Sequence, residues 1–182
     1  MTNTNSLWVL NQRTQLPQEI IPSLLSPQRS QWKKHPRIGT VDIFFTYHEY
    51  LRQTSLSLKT SLELLLNENQ ASTVNLDKIK TIAGELIHHT RHHHSIEDKH
   101  YFPSIMRQFP QLERGLNMLD ADHDMIVSHL NQIEIIASNM PSVKNSTEWL
   151  NQLHQHVAIL ATILPRHFQD EEEIIIPALL QS

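Results

Sequence analysis

The chain has 182 residues, a formal net charge of −4, and 39% hydrophobic and 19% charged residues, which is typical of one soluble globular domain. The chain has no long block of like charges, so a nucleic acid or membrane partner is not expected, and it has no apolar run long enough to span a bilayer. The absence of cysteine excludes disulfides, iron–sulfur clusters and thiolate sites. The N-terminus has neither the basic start nor the apolar core of a signal peptide, so we expect a cytoplasmic protein. Three glycines favour long helices, and 13 histidines are the anomaly to explain.

Residues 1–39 are predicted to form an irregular N-terminal extension. Prolines and a glycine interrupt any long helix in this segment, and only residues 17–26 have the pattern of a short one. The segment carries four large apolar side chains: Trp8, Leu24, Leu25 and Trp32. Because a purely disordered tail is usually poor in such side chains, we expect the extension to pack on the domain formed by residues 40–182.

Four helices are predicted in that domain, because apolar residues recur at intervals of three and four over residues 41–68, 76–102, 110–139 and 147–176. The predicted N-caps are Asn75 and Ser146, and the predicted stop or turn signals are Pro103, Pro110, Pro141 and Pro177. Short connections favour antiparallel neighbours. The predicted fold is therefore all-α, an antiparallel up-down four-helix bundle preceded by the extension.

Six polar residues interrupt the apolar stripes of these helices at positions that face the core. They are His48, His93, Glu97, His123, His167 and Glu171. Burying carboxylates and imidazoles without partners would cost several kcal/mol, on the order of the penalty for unpaired buried charges. The sequence therefore predicts that something satisfies all six together.

An internal repeat relates the six residues to one another. His93 and Glu97 belong to a motif H-x3-E-[ED]-x2-Φ-Φ-P, where Φ is apolar or aromatic, and the same motif recurs 74 positions later with His167 and Glu171. His123 follows His48 by 75 positions, so the chain contains two copies of one helical hairpin. A spacing of four places His and Glu on one helix face. Two such hairpins would direct four imidazoles and two carboxylates to one point, a set suited to two ions of Fe, Zn, Cu or Ni.

One isolated buried histidine is more often a hydrogen-bonded core residue than a metal ligand. Six ligand-type residues repeated at nearly one offset favour a dinuclear metal site instead.

The pattern resembles the hemerythrin-like family, the HHE cation-binding domain, over residues 41–178. The family's motif maps onto His48, His93, Glu97, His123, His167 and Glu171. The resemblance implies a four-helix bundle with a non-haem di-iron centre, in which two iron ions share an oxo or hydroxo bridge and the carboxylates of Glu97 and Glu171. It also implies a small diatomic ligand, O2 or NO, or peroxide as the partner. Other divalent metals remain possible.

The chain departs from the family at the fifth histidine ligand. The third predicted helix, residues 110–139, has Val127 four residues after His123, so the H-x3-H motif of some members is absent. Residues 53–87 contain no histidine. His89 and His100 are the candidates, because both lie on the face of His93 and Glu97. His88, His92 and His94 point elsewhere by helical phase and are predicted to be solvated. Asp98 and Glu172 are either surface charges or acceptors for a ligand imidazole on a neighbouring helix.

Three functions are compatible with this site. The first is a di-iron protein that binds or reacts with O2, peroxide or NO. The second is a di-iron enzyme, either an oxidase or one that decomposes peroxide, and the third is a protein that buffers zinc, nickel or iron. A ferritin-like oxidase is disfavoured, because its E-x2-H motif occurs at Glu97 and His100 but has no counterpart on the fourth helix, where Ile174 stands. Turnover, natural ligand, redox partner and oligomeric state are not determined by the ligand residues.

Overall fold

The computed structural model describes residues 7–68 and 71–181, and all regular secondary structure in these ranges is helical. The α-helices are α1 (Arg29–Trp32), α2 (Asp42–Glu68), α3 (Thr73–Ile96), α4 (Phe102–Gln108), α5 (Glu113–Ser138) and α6 (Ser146–Gln181). A π-helical turn, Glu97–Tyr101, joins α3 to α4. The all-helical prediction is confirmed, and no helix within the described ranges is long and apolar enough to cross a membrane.

The four long helices form a closed ring of contacts. α2 packs on α3 and α6, and α5 packs on α3 and α6. Each helix turns its apolar stripe inward, as the three-and-four spacing of leucines and isoleucines requires. The result is a helical bundle in which each long helix packs against two of the others.

The interior of this bundle is divided into two apolar clusters. One contains Leu51, Leu86, Ile126, Leu164 and their neighbours, and the other contains Phe44, Phe102, Leu119, Ile174 and theirs. On α2, α5 and α6, and along the helical segment formed by α3, the π-helical turn and α4, the buried histidines and acids lie between residues of the two clusters. These polar residues therefore form one layer across the middle of the bundle.

The N-terminal extension contacts both apolar clusters. Leu10 packs with the first cluster, while Leu16, Ile20 and Trp32 pack with the second. Trp8, Leu24 and Leu25 are half-buried against the second cluster. The predicted short helix near residues 17–26 is reduced to a 3-10 turn, Ile21–Ser23.

Three of the predicted helix boundaries, at Asn75, Pro103 and Pro177, are wrong. Ser72, and not Asn75, caps α3, since its hydroxyl accepts a hydrogen bond from the backbone N–H of Asn75. Pro177 does not stop the last helix but lies inside α6, as does Pro165. Buried packing of the residues from 174 to 180 keeps this turn helical although each proline removes one backbone donor.

The other boundary residues lie at or near helix ends. Ser146 is the first residue of α6, Pro110 begins a 3-10 turn before α5, and Pro141 lies between α5 and α6. Pro103, a predicted stop, instead lies in the first turn of α4, and the helical segment of residues 73–108 runs through it without a break.

Candidate metal centre

The polar layer contains two groups of side chains whose potential ligand atoms lie within 4.8 Å of one another. The first group is His48, His93, Glu97 and Glu171, and the second is His94, His123 and His167. All seven residues are buried. The six residues predicted from the sequence therefore lie together, and a seventh, His94, lies with them.

The first group brings two imidazoles against two carboxylates. His48 Nε2 lies 3.0 Å from His93 Nε2 and 3.3 Å from Glu171 Oε2. His93 Nε2 lies 3.3 Å from Glu97 Oε1. The three helices α2, α3 and α6 thus direct nitrogen and oxygen lone pairs to one small volume, together with the start of the π-helical turn, where Glu97 lies.

Both carboxylates also face the second group. Glu97 Oε2 lies 3.8 Å from His123 Nε2, and Glu171 Oε2 lies 3.8 Å from His167 Nε2. Each glutamate therefore lies between a histidine of one group and a histidine of the other. Carboxylates in such a position can join two cations.

His94 completes the second group, and the prediction that it is solvated is wrong. Its side chain is 2% exposed, and its ring stacks on that of His123 with centroids 3.9 Å apart. The ring of His167 lies 5.3 Å away in an edge arrangement. Since α3 packs against both α2 and α5, His93 faces the first neighbour and His94 faces the second.

The internal repeat contained a signal for His94 that helical phase alone did not give. Its counterpart 74 positions later is Phe168, an apolar residue, and apolar residues at a repeated position indicate burial. Phe168 is 0% exposed and stacks on His48 with centroids 4.5 Å apart, as His94 stacks on His123. The two hairpins thus present the same packing, with an imidazole in one and a phenyl ring in the other.

Neither of the two candidates for a fifth histidine belongs to these groups. His89 is half-buried, and its Nδ1 lies 3.0 Å from the hydroxyl of Tyr47. His100 is exposed, because the π-helical turn rotates the residues after Glu97 away from the α-helical phase that the prediction assumed. In α6, which has no such turn, the counterpart Ile174 is buried. His88 and His92 are exposed, as predicted.

Three of the imidazoles are oriented by carboxylates behind them. The Nδ1–H of His48 donates to Glu172 at 3.0 Å, that of His123 to Asp98 at 2.7 Å, and Nδ1 of His167 lies 3.3 Å from Asp122. Because an ionised carboxylate only accepts, these contacts keep the proton on Nδ1 and leave the lone pair of Nε2 facing the two groups. The interpretation of Asp98 and Glu172 as imidazole partners is confirmed, while Asp122 was missed because it precedes His123 instead of following a glutamate.

The electrostatics of the layer are those of a site that needs positive charge. Burial and the neighbouring imidazoles lower the pKa of His93 to about 2, and burial lowers that of His167 to about 3. Burial also lowers the pKa of His94 well below its usual value. Burial and the nearby Glu171 raise the pKa of Glu97. Neutral imidazoles therefore surround two acids of which the negative charge of one disfavours that of the other.

Unpaired polar atoms show that a cation fits this layer. No N–H or hydroxyl group among the described residues donates a well-aligned hydrogen bond to either carboxylate oxygen of Glu97 or Glu171. Nε2 of His123, Nε2 of His167 and both ring nitrogens of His94 are likewise buried without a hydrogen-bond partner in the described part of the chain. Buried polar atoms are rarely left unpaired, and their number here is accounted for by metal ions as the missing partners.

A cavity of about 200 Å³ connects one side of the layer to the surface between α2 and α3. Its lining residues are Ile43, Phe44, Tyr47, His92, His93, Ile96, Glu97 and Tyr101. His93 and Glu97 of the first group are among these residues, so a small molecule can approach the first group from this side.

Comparison with known families agrees with this chemistry. The sequence profile described as the Hemerythrin HHE cation binding domain matches residues 39–179, a range that includes all seven buried residues of the two groups. No curated protein and no solved structure matches the chain. Because the profile covers most of the chain and its cation-binding description fits the His and Glu groups, the chain belongs to the hemerythrin HHE cation-binding domain family.

Proposed function

We propose that this chain is a non-haem di-iron protein that binds or reacts with O2, peroxide or NO. The observation that carries the proposal is the pair of buried carboxylates, Glu97 and Glu171, each lying between histidines of two separate groups. A donor set of imidazole and carboxylate without thiolate suits iron. When bound, two ferrous ions can each supply one electron to the small ligand.

The proposed ligands divide unequally between the two ions. His94, His123 and His167 would hold one ion, His48 and His93 would hold the other, and Glu97 and Glu171 would bridge them. The side with two imidazoles has fewer protein ligands, and the cavity between α2 and α3 ends at His93 on that same side. We therefore assign the small ligand to the ion held by His48 and His93.

The residues around the centre position the ligands and keep water away. Glu172, Asp98 and Asp122 hold the rings of His48, His123 and His167 through Nδ1. Phe168 stacks on His48, and Phe44 lies edge-on to it with ring centroids 6.0 Å apart. Such apolar walls lower the local dielectric constant, which strengthens the interaction between the carboxylates and the cations.

We further propose that residues 40–182 form an antiparallel up-down bundle around this centre, with residues 1–39 as an extension packed on it. Support comes from the short connections, residues 69–72 between α2 and α3 and residues 139–145 between α5 and α6. Helices joined by so few residues pack as antiparallel neighbours.

Metal analysis of the purified, iron-supplied protein tests the proposal. We expect two irons per chain, and an absorption spectrum of the air-exposed protein that changes when azide is added. Glu97→Ala and Glu171→Ala should each lose most of the iron, whereas the control His92→Ala should lose none, because His92 is exposed beside the buried His93. A colourless protein with one zinc, or equal iron in all three variants, would reject a di-iron centre in this layer.

The alternatives predict different results in the same preparation. A peroxide-decomposing enzyme would consume many equivalents of peroxide per iron pair, whereas a binding protein would stop after stoichiometric reaction. A buffer that uses the histidine run would lose metal when His88 and His92 are replaced and would tolerate Glu171→Ala.

A further inference from the structure

A buried arginine of the N-terminal extension reaches the edge of the metal centre. The side chain of Arg13 is 0% exposed, and its Nε donates to Asp170 Oδ2 at 2.7 Å. Its Nη2 donates to Asp122 Oδ2. Arg13 lies outside residues 39–179, the range that matches the family profile, so this contact joins the extension to the matched domain.

Asp122 connects this arginine to a proposed metal ligand. The same oxygen of Asp122 that accepts from Arg13 lies 3.3 Å from Nδ1 of His167. One carboxylate thus separates the guanidinium from the imidazole. Because His167 has no other hydrogen-bond partner among the described residues, Asp122 is what fixes its ring orientation and the location of its proton.

Arg13 is the counter-charge that keeps Asp122 in this place. The second acid that it contacts, Asp170, also binds Arg166, whose guanidinium donates to Asp170 Oδ2 through Nε at 3.0 Å and to the carbonyl of Thr14 at 3.1 Å. Asp170 therefore keeps a cation if Arg13 is removed. Among the described residues, no other arginine or lysine donates a hydrogen bond to Asp122. A guanidinium can serve both acids because its nitrogens form a rigid, planar set of donors.

A weaker version of the contact exists on the other side of the centre. Arg29, also in the extension, donates to Glu172 Oε2 at 2.7 Å, and Glu172 accepts from His48. Arg29 is half-exposed, and Arg52 of α2 also binds Glu172 at 2.8 Å. Loss of Arg29 would therefore leave Glu172 paired, which makes Arg13 the decisive residue.

We propose that Arg13 is a positioning residue of the metal centre, which holds Asp122 against His167 and so controls how firmly the ion at His94, His123 and His167 is retained. This inference rests on the proposed metal centre. It makes the extension a part of the site and not only a cover of the bundle surface.

The test is the rate at which the metal-loaded, full-length protein releases metal to an excess of chelator, together with the visible spectrum of its cobalt(II) form. Arg13→Met should release one of two ions about 10-fold faster, the lower end of the usual effect of losing the hydrogen-bond partner behind a ligand, because Asp122 remains but loses its cation; the cobalt spectrum should also change. Arg13→Lys should recover only part of the loss, because an ammonium keeps the charge but lacks the planar set of donors that reaches both acids. Lys34→Met removes the same charge from an exposed position of the extension and should match the wild type.

A double-mutant cycle shows whether Arg13 acts through Asp122. In an Asp122→Asn background, Arg13→Met should change the release rate less than about threefold, because the pathway is already broken. Full additivity, or a wild-type release rate and spectrum in Arg13→Met, would overturn the inference. If Arg13→Met does not fold, the cycle of Arg13→Lys with Asp122→Asn replaces it, with the same non-additivity expected and the same additive result refuting it. A wild-type protein that binds fewer than two metal ions would instead reject the proposed function itself.

Discussion

Replacing His94 by Phe should make the metal-free protein more stable and the metal-loaded protein less stable. The phenyl ring is the side chain that the repeat itself uses at the equivalent position, Phe168, so the packing against a neighbouring imidazole is preserved. Opposite effects in the two states would identify His94 as a residue kept for metal binding at a cost to the fold.

The magnitude follows from the unpaired nitrogens of His94. Both are buried without partners among the described residues, and each such group costs roughly 1–3 kcal/mol. The larger phenyl ring lowers the free energy of unfolding by about 1–3 kcal/mol, because it overpacks a full core. We expect a net gain of about 1 kcal/mol in the metal-free form, which raises its Tm by about 2–4 °C in a chain of this size.

In the loaded form, the lost imidazole outweighs this gain. A 100-fold weaker site removes about 2.7 kcal/mol of metal-derived stability, since each tenfold change in affinity corresponds to about 1.4 kcal/mol. The loaded variant should therefore melt roughly 5 °C below the loaded wild type. Thermal unfolding by circular dichroism with and without iron, alongside metal analysis, measures both signs.

The matched control is His92→Phe, an equal substitution on the exposed face of the same helical turn, which should change neither melting temperature by more than about 1 °C. The reasoning about His94 is refuted if His94→Phe destabilises the metal-free protein and still retains two metals. In that case His94 is a core residue with a hydrogen-bond partner, such as buried water.

Three further outcomes follow from the same layer. Glu97→Gln should stabilise the metal-free protein and abolish most metal binding, because burial and Glu171 already disfavour its charge; unfolding in urea and metal analysis measure both. Burial opposes the charge of Glu172, but its hydrogen bonds to His48 and Arg52 outweigh burial and lower its pKa from 4.5 to about 2. Because the pKa of Glu172 is lowered in the folded state, its charge stabilises the fold at pH values above the pKa of the unfolded state. Glu172→Gln should therefore cost on the order of 2 kcal/mol of unfolding free energy at pH 7. Urea unfolding at several pH values should show this difference from wild type shrinking as the pH falls from about 4.5 to 2. Ile43→Trp, at the mouth of the cavity between α2 and α3, should slow azide binding to the ferric protein several-fold at constant iron content. The control Leu56→Trp, on an exposed part of α2, should leave the rate unchanged. Equal rates in the two variants would mean that ligands enter elsewhere.

Periodicity and the internal repeat predicted the four long helices and the six residues of the layer, because both depend on spacing along single helices. They did not predict His94. A stripe of one residue in three or four selects one face, but α3 packs against two helices and buries an arc wide enough for both His93 and His94. Comparison of His94 with Phe168 across the repeat would have corrected this.

The π-helical turn and the contact of Arg13 with Asp122 were beyond a sequence reading for different reasons. Residues 97–101 form a π turn within a bundle, and no local residue pattern distinguishes that stretch from the regular α-helix formed by its repeat in α6. His100 was therefore assigned to the wrong face. Arg13 has no motif around it, and its importance depends on Asp122 and Asp170, which lie more than 100 positions away.

The polar layer between the two apolar clusters also determines where the helices would first come apart. Most helices lose hydrogen-exchange protection at their ends, while their centres open only with global unfolding. Here the polar layer crosses α2, α5, α6 and the last turn of α3, and it places two buried acids and unpaired imidazoles between the two apolar clusters. In the metal-free protein, the amides near residues 48, 94, 123 and 167 should exchange faster than those a few turns away on either side. Bound metal would hold the helices together at this layer. Its loss should leave the two apolar clusters to unfold as two separate cooperative units.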